Sequence, residues 1–394
     1  MVTRYLKLIA AAFALLATGG CVYDFMPQSD DIPGLNEQLM VIEGDIIVGG
    51  ITRVRLGSSR GLEENEQQDG MRFWSSSVWV ESEDGKIWNG HLSGYALNEF
   101  VVNTEELQVG GRYRLCVSIP DKGEYHSQFK SVSVAPPMDS ISYYVAEDRS
   151  SLQLEVTTHN DSSEPLYCRW TYTEDWENNA EFTPYLLMEK VGNDVILYDI
   201  TEEEQLRRTK CYSKGESKGI YIAHTEKLQQ NVISRQRLNA IPRNDRRLSS
   251  LYAITVQQTA MDKEAYQYWD ALKATVSGTG GLFAPMPNEV RGNIVSATFP
   301  DETVLGYVNV STATYMRKFI YVHEAMMFKM TCKETEHPRK DWAQLPYGSM
   351  LPVRYKETEE GDLNTNIAYW TSAKCADCRL TSNSTRPDFW PEGR

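Results

Sequence analysis

Seven cysteines carry most of the chemistry open to this chain, and Cys21 is the one whose neighbours specify a reaction. Arg4 and Lys7 form a basic start, Leu8 to Ala17 is an apolar run, and Thr18-Gly19-Gly20 supplies the small residues that a signal peptidase requires. Cleavage before Cys21 frees its amine and thiol for acylation. Residues 1–20 therefore read as a lipoprotein signal peptide and Cys21 as the lipidation site. Thr18 stands where a leucine is usual, and the plainer alternative is a secretory signal followed by a chance cysteine. The apolar run is shorter than the ~20 residues a spanning helix needs, so a lipid anchor is expected rather than a transmembrane one.

The other six cysteines are Cys116, Cys168, Cys211, Cys332, Cys375 and Cys378. An even set in an exported chain points to disulfides without choosing their connectivity. Cys375-Ala376-Asp377-Cys378 is a C-x-x-C. Zinc would want a second pair or histidines at ligand spacing, and only Cys332 and His337 are near in sequence. Redox catalysis would want the motif to open a helix in a thioredoxin-like unit, and no such pattern surrounds it. Cys375 and Cys378 are thus candidate disulfide residues, with no metal and no cofactor expected.

Several catalytic patterns match by letters and fail in context. Gly215-Glu216-Ser217-Lys218-Gly219 spells G-x-S-x-G, but a nucleophile elbow needs a buried strand before the serine and a helix after it. Here polar Lys210 to Lys214 precede and a strand over Ile220 to Ala223 follows. His323-Glu324 begins like a zincin helix, yet Met327 occupies the place of the second histidine. Gly278-Thr279-Gly280-Gly281 follows a helix instead of opening one, so its amides cannot cradle phosphate. Glu63-Glu64 and Asp301-Glu302 read as solvated loops, and sequence proximity does not pick out catalytic carboxylates. No catalytic residue is assigned, and an enzyme is not expected.

The elements that would position any site are mostly strands. With 394 residues, 41% of them hydrophobic, the chain is long enough for two domains with buried cores. Its net charge is −14, or −16 once Arg4 and Lys7 leave with residues 1–20, and no basic patch interleaved with aromatics offsets it. Nucleic acid is excluded as a partner on that ground. Residues 21–38 form a short acidic tether containing Asp24, Asp30 and Asp31, with a merely solvated linker as the alternative.

Residues 39–135 read as an immunoglobulin-like β-sandwich. Ile51, Arg53 and Arg55 alternate with Thr52, Val54 and Leu56, and Glu83-Asp84-Gly85 marks a hairpin between Val78-Trp79-Val80 and Lys86-Ile87-Trp88. Tyr113, Leu115, Val117 and Ile119 share one face, and Cys116 points away from it. Ala135-Pro136-Pro137 is the boundary. Residues 138–394 form a larger β-rich domain with strands over Ile141–Val145, Leu152–Val156, Leu166–Thr173, Tyr185–Val191, Val195–Ile200, Gly219–His224, Leu251–Gln257, Val304–Val310 and Met316–Val322. Cys168, Trp170 and Tyr172 lie on one face. A helix near 262–277 has Asp262 to cap it and Gly278 to stop it. Its Tyr266 and Trp269 read as core, with a ligand-stacking platform as the alternative.

One pattern is familiar as a whole. Ala265-Tyr266-Gln267-Tyr268-Trp269 is followed by Phe283-Ala284-Pro285, Val290-Arg291-Gly292-Asn293-Ile294, Pro300-Asp301-Glu302, Val304-Leu305-Gly306-Tyr307, Val310-Ser311, Arg317 and Phe319-Ile320. With Cys375-Ala376-Asp377-Cys378-Arg379 and Arg386-Pro387-Asp388-Phe389-Trp390, it resembles the domain-of-unknown-function 4249 family of Bacteroidota surface lipoproteins. The resemblance implies an outer-membrane lipoprotein facing the cell exterior and a binding role beside a TonB-dependent transporter, with an unknown ligand. In such proteins an acidic stretch after the acylated cysteine resembles an export signal. No family catalytic residue exists to carry over. Gly292 and Gly306 suit bulges or close backbone approach, and Pro285 with Pro287 a stiff loop. Asn293 and Asp388 read as turn residues, with ligand contact as the alternative. A structural or assembly protein of the cell surface, or an enzyme with an unrecognised site, are the competing function classes.

Overall fold

The structure, a computed structural model, describes residues 39–59, 73–94, 96–276, 292–322, 331–357 and 361–392. The signal peptide, Cys21, the acidic tether, Glu63-Glu64, Gly278 to Gly281, Pro285, Pro287 and His323-Glu324 lie outside the described residues. The chain is mainly β, as its alternating patterns predict.

Strands β1 (Met40–Gly44), β2 (Ile46–Ile47), β3 (Gly50–Ser58), β4 (Ser77–Ser82), β5 (Ile87–Leu92), β6 (Glu99–Thr104), β7 (Arg112–Ile119), β8 (Gly123–Ser127) and β9 (Lys130–Ser131) make up the N-terminal part. Period-two alternation sets what each strand buries. Thr52, Val54 and Leu56 are buried while Ile51, Arg53 and Arg55 are exposed, and Tyr113, Leu115, Val117 and Ile119 join a core with Met40, Val80 and Phe100. Gly85, at φ 88°, supplies the left-handed turn between β4 and β5. Strand β5 is the corner of the sheet: residues 87–89 pair with β4 and residues 90–92 with β6. Gly90 sits at that switch, where a Cβ would fall 2.9 Å from the Val78 carbonyl oxygen.

In the second part, β10 (Met138–Val145), β11 (Ser151–His159), β12 (Tyr167–Asn179), β13 (Leu186–Val191), β14 (Asp194–Asp199), helix α1 (Glu202–Thr209), β15 (Lys210–Glu216), β16 (Tyr221–His224), β17 (Val232–Pro242), β18 (Leu251–Ala260) and helix α2 (Lys263–Val276) follow in order. A three-stranded sheet, β10-β11-β17, packs against a five-stranded one, β15-β12-β18-β22, where β22 is Ala313–Tyr321 and β16 also pairs with β12. Cys168, Trp170 and Tyr172 face the shared core with Leu154, Val156 and Val256. Asp262 caps α2 by accepting from the Ala265 amide at 2.8 Å.

Between α2 and β22 the chain returns to the first part. Strand β19 (Ile294–Ser296) pairs with β8, β20 (Val304–Leu305) runs parallel to β1, and β21 (Val310–Ser311) runs parallel to β2. The result is a nearly closed ten-stranded sheet in the order β19-β8-β7-β4-β5-β6-β3-β1-β20, with β9 attached to β7. The immunoglobulin-like sandwich expected of residues 39–135 is not confirmed; that stretch lacks both terminal strands of its own sheet. The single strand expected over Val304–Val310 is corrected to two, parted by Gly306 at φ 125°.

Asn293 holds the seam. Its side chain donates to the Val308 carbonyl and accepts from the Val308 amide, both at 2.8 Å, so it acts as one rung of a ladder inside the seam, where it is buried. Gln258, buried in β18, donates at 2.8 Å to the carbonyl of Pro136.

The last strands, β23 (Thr335–Pro338), β24 (Met350–Glu357) and β25 (Leu363–Ser372), form a small sheet that shares a core of Leu186, Val195, Leu197, Trp342 and Trp370 with the β13-β14 hairpin.

Candidate binding groove

Two salt bridges and an aromatic cluster fix α2 against both parts of the molecule. Lys130 of β9 reaches Asp262 at 2.6 Å and Glu264 at 2.7 Å. Burial opposes its charge, but the bonds to Asp262 and Glu264 outweigh that and raise its pKa. Arg169 of β12 pairs with Asp45 at 2.6 Å and lies 3.8 Å over the Trp269 ring. Tyr266 contacts the Tyr167 ring at 5.5 Å and the His224 ring at 4.8 Å. Tyr266 and Trp269 are therefore both occupied in this joint, half-buried against the core, and the stacking-platform alternative falls.

The position of α2 opens a groove of about 400 Å³ beside it. Ile220 and Tyr221 line one side, the five consecutive residues 236–240 of β17 the other, and Lys273 of α2 the third. Successive residues of a strand point to opposite faces, so five in a row can border one cavity only along the edge of the strand. Strand β17 is indeed an edge strand, paired with β11 alone. That edge is blunted: the Gln236 side chain donates to the Arg237 carbonyl at 3.0 Å, and the Asn239 side chain accepts from the Ala240 amide at 2.8 Å.

Behind the groove lies a satisfied polar network. Buried Glu174 accepts from Asn239 at 2.9 Å, from Arg247 at 3.1 and 3.2 Å, and from the Tyr252 hydroxyl at 2.6 Å. Burial, reinforced by the Glu174 charge, pushes the Tyr252 hydroxyl well above its ordinary range, so it donates and does not ionise. Arg247 is raised too, chiefly by its hydrogen bond to Asp245. These groups are bonded to one another and leave Arg237 as a distinct case. Arg237 is exposed, and its guanidinium makes no ion pair among the described residues.

Strand β17 was not legible in the sequence. Arg235 adopts φ 53°, and the pairing with β11 slips twice, between Leu154 and Glu155 and between Val156 and Thr158. Those bulges put the buried positions at Ile233, Leu238 and Ile241, a spacing that no strand template fits. The pattern Gly215 to Gly219 gains a structural meaning instead of a catalytic one. Ser217 sits in a strand-to-strand turn; its backbone amide donates to the Tyr172 carbonyl at 2.8 Å and its hydroxyl accepts from the Tyr172 amide at 3.1 Å. Gly219 lies against the ring of Tyr221, where a Cβ would fall 2.9 Å from the phenol carbon and oxygen.

The cysteines divide in two. Cys375 is bonded to Cys332 and Cys378 to Cys211, so the C-x-x-C is not closed on itself but sends each thiol to a different distant strand or segment. Cys116 and Cys168 are free and buried. Cys116 belongs to no core cluster, in keeping with its outward side of β7, yet it is fully covered there, with its sulfur 3.6 Å from Glu81. Burial pushes its thiol up to about 12. Asp388 is exposed. A second cavity, of about 20 Å³ between Trp342 and Trp370, has room for about one water molecule.

Among the described residues no group of three or more metal-ligating side chains converges, and no helix is long and apolar enough to cross a membrane. The chain matches the family model described as domain of unknown function (DUF4249) over residues 24–317, and it belongs to that family. No curated relative matches it.

Proposed function

We propose that this member of the domain-of-unknown-function 4249 family is a lipid-anchored binding protein at the outer face of the outer membrane, acting beside a TonB-dependent nutrient transporter without covalent catalysis of its own. The groove along β17 carries the reading. It is large enough for a small ligand, and rigid strands and a clamped helix form its walls. Its lining offers cations, amides and a phenol, and none of the histidine, carboxylate or thiol groups from which a nucleophile and its base are built. The Cys21 signal and the acidic tether supply the address.

Two experiments test the proposal. Replacing Cys21 by Ala is expected to release the protein from the membrane fraction, and protease added to intact cells is expected to degrade the wild type. Resistance until the outer membrane is broken would refute surface display. Crosslinking in live cells is expected to recover an outer-membrane β-barrel, and deletion to impair uptake of what that barrel imports. A stable surface partner with unimpaired uptake would favour the structural or assembly role instead.

A further inference from the structure

We propose that the groove along β17 takes a small organic acid, its carboxylate held by Arg237 and its apolar or aromatic body laid against Ile220 and Tyr221. This deepens the binding role proposed above and rests on it. The first argument is electrostatic. The chain carries a net charge of −14, yet the groove is bordered by Arg237 and Lys273 and by no carboxylate. Neighbouring arginines are spent: Arg235, two residues away, pairs with Glu155 at 2.7 Å, and Arg247 pairs with Glu174 and Asp245. Arg237 borders the groove and makes no ion pair among the described residues; its cross-strand neighbour, the buried Glu155, is bonded to Arg235. A carboxylate matches the Arg237 fork in two parallel hydrogen bonds.

The second argument is shape. The volume suits a molecule with an organic body and exceeds what a bare inorganic anion fills. Ile220 gives that body an apolar floor, while the Tyr221 hydroxyl lies 3.2 Å from that of Tyr172. The third argument excludes an added peptide strand. A strand would need the Arg237 carbonyl and the Ala240 amide, and the side chains of Gln236 and Asn239 already cover both.

The test is calorimetric titration of the whole chain carrying Cys21→Ala with phenylacetate, against phenylacetamide, inorganic phosphate and an extended acidic peptide. Phenylacetate is expected to saturate a single site. Arg237→Gln is expected to weaken it roughly tenfold to a hundredfold, the range for losing a hydrogen bond to a charged group. Arg235→Gln should leave affinity unchanged, and Ala240→Leu, which fills the groove, should abolish binding without lowering the melting temperature. Equal binding of phenylacetamide, tighter binding of phosphate or of the peptide, an unaffected Arg237→Gln variant, or no saturable binding would each overturn the proposal. Since the measurement needs no transporter, its failure is distinct from a failure of the uptake experiment.

Discussion

Gly292 approaches Gly306 so closely that a Cβ on Gly292 would fall 1.6 Å from the Gly306 carbonyl oxygen. Gly306 in turn sits at φ 125°, where its own Cβ would meet the Ile42 carbonyl oxygen at 1.9 Å. Two glycines thus let three backbone segments stack at the seam of the nearly closed sheet. Gly306→Ala combines a steric clash with a disfavoured backbone conformation and is expected to cost about 3 kcal/mol or more. Denaturant unfolding would measure it, and a loss below about 1 kcal/mol would show that the seam can open at little cost.

The two disulfides enclose long loops, with sequence separations of 167 and 43 residues. On loop-entropy grounds each stabilises the fold by about 4–5 kcal/mol at most, and typical measured losses are about 2–5 kcal/mol. Cys378→Ser should fall in that range. Non-reduced peptide mapping should recover Cys211 with Cys378 and Cys332 with Cys375; a peptide holding a Cys375–Cys378 bond would contradict the pairing.

Cys116 and Cys168 are expected to resist alkylation in the native protein at pH 8 and to react once it is unfolded without reductant. Burial raises both thiol pKa values above the ordinary 9.0. A raised folded-state value means that their contribution to stability is complete below pH 9.0 and is lost as pH climbs from there toward the folded value, about 12 for Cys116. The double variant Cys116→Val, Cys168→Val should therefore show a flatter decline of stability above pH 9 than the parent. Identical slopes would remove these thiols as the cause.

Arg247→Met leaves the buried Glu174 carboxylate without its guanidinium, while Tyr252 and Asn239 still donate to it. Breaking a buried pair on one side is costly, and a loss of about 3 kcal/mol is expected. Adding Glu174→Leu should restore part of it, because the stranded charge is then gone; a double variant as weak as the sum of the two single ones would argue against a compensated pair.

Legibility followed the regularity of the backbone. The hairpin at Asp84-Gly85, the alternation in β7 and the Asp262 cap each rest on a few adjacent residues, and each is present as read. The residues of the groove escaped because the bulges of β17 hide its period, and because Lys273 reaches it only through the distant clamp of Lys130 on the start of α2. Val304 to Val310 looked continuous since Gly306 interrupts the backbone without interrupting the apolar pattern. The closing strands of the first sheet were out of reach for another reason: β20 lies more than two hundred and fifty residues from its partner, as the Met40–Val304 pairing shows, and no local rule spans that distance.

That pairing also dictates an order of events during synthesis. Strand β1 emerges early but has no second neighbour until Val304 follows, and β8 waits likewise for Ile294. For most of translation the first sheet is a ribbon with two bare margins, the arrangement most open to pairing with another nascent copy. A chain that stalls before residue 294 would therefore be a hazard to its siblings, and a chaperone that shields the early strands until the return segment arrives would protect the yield of folded protein.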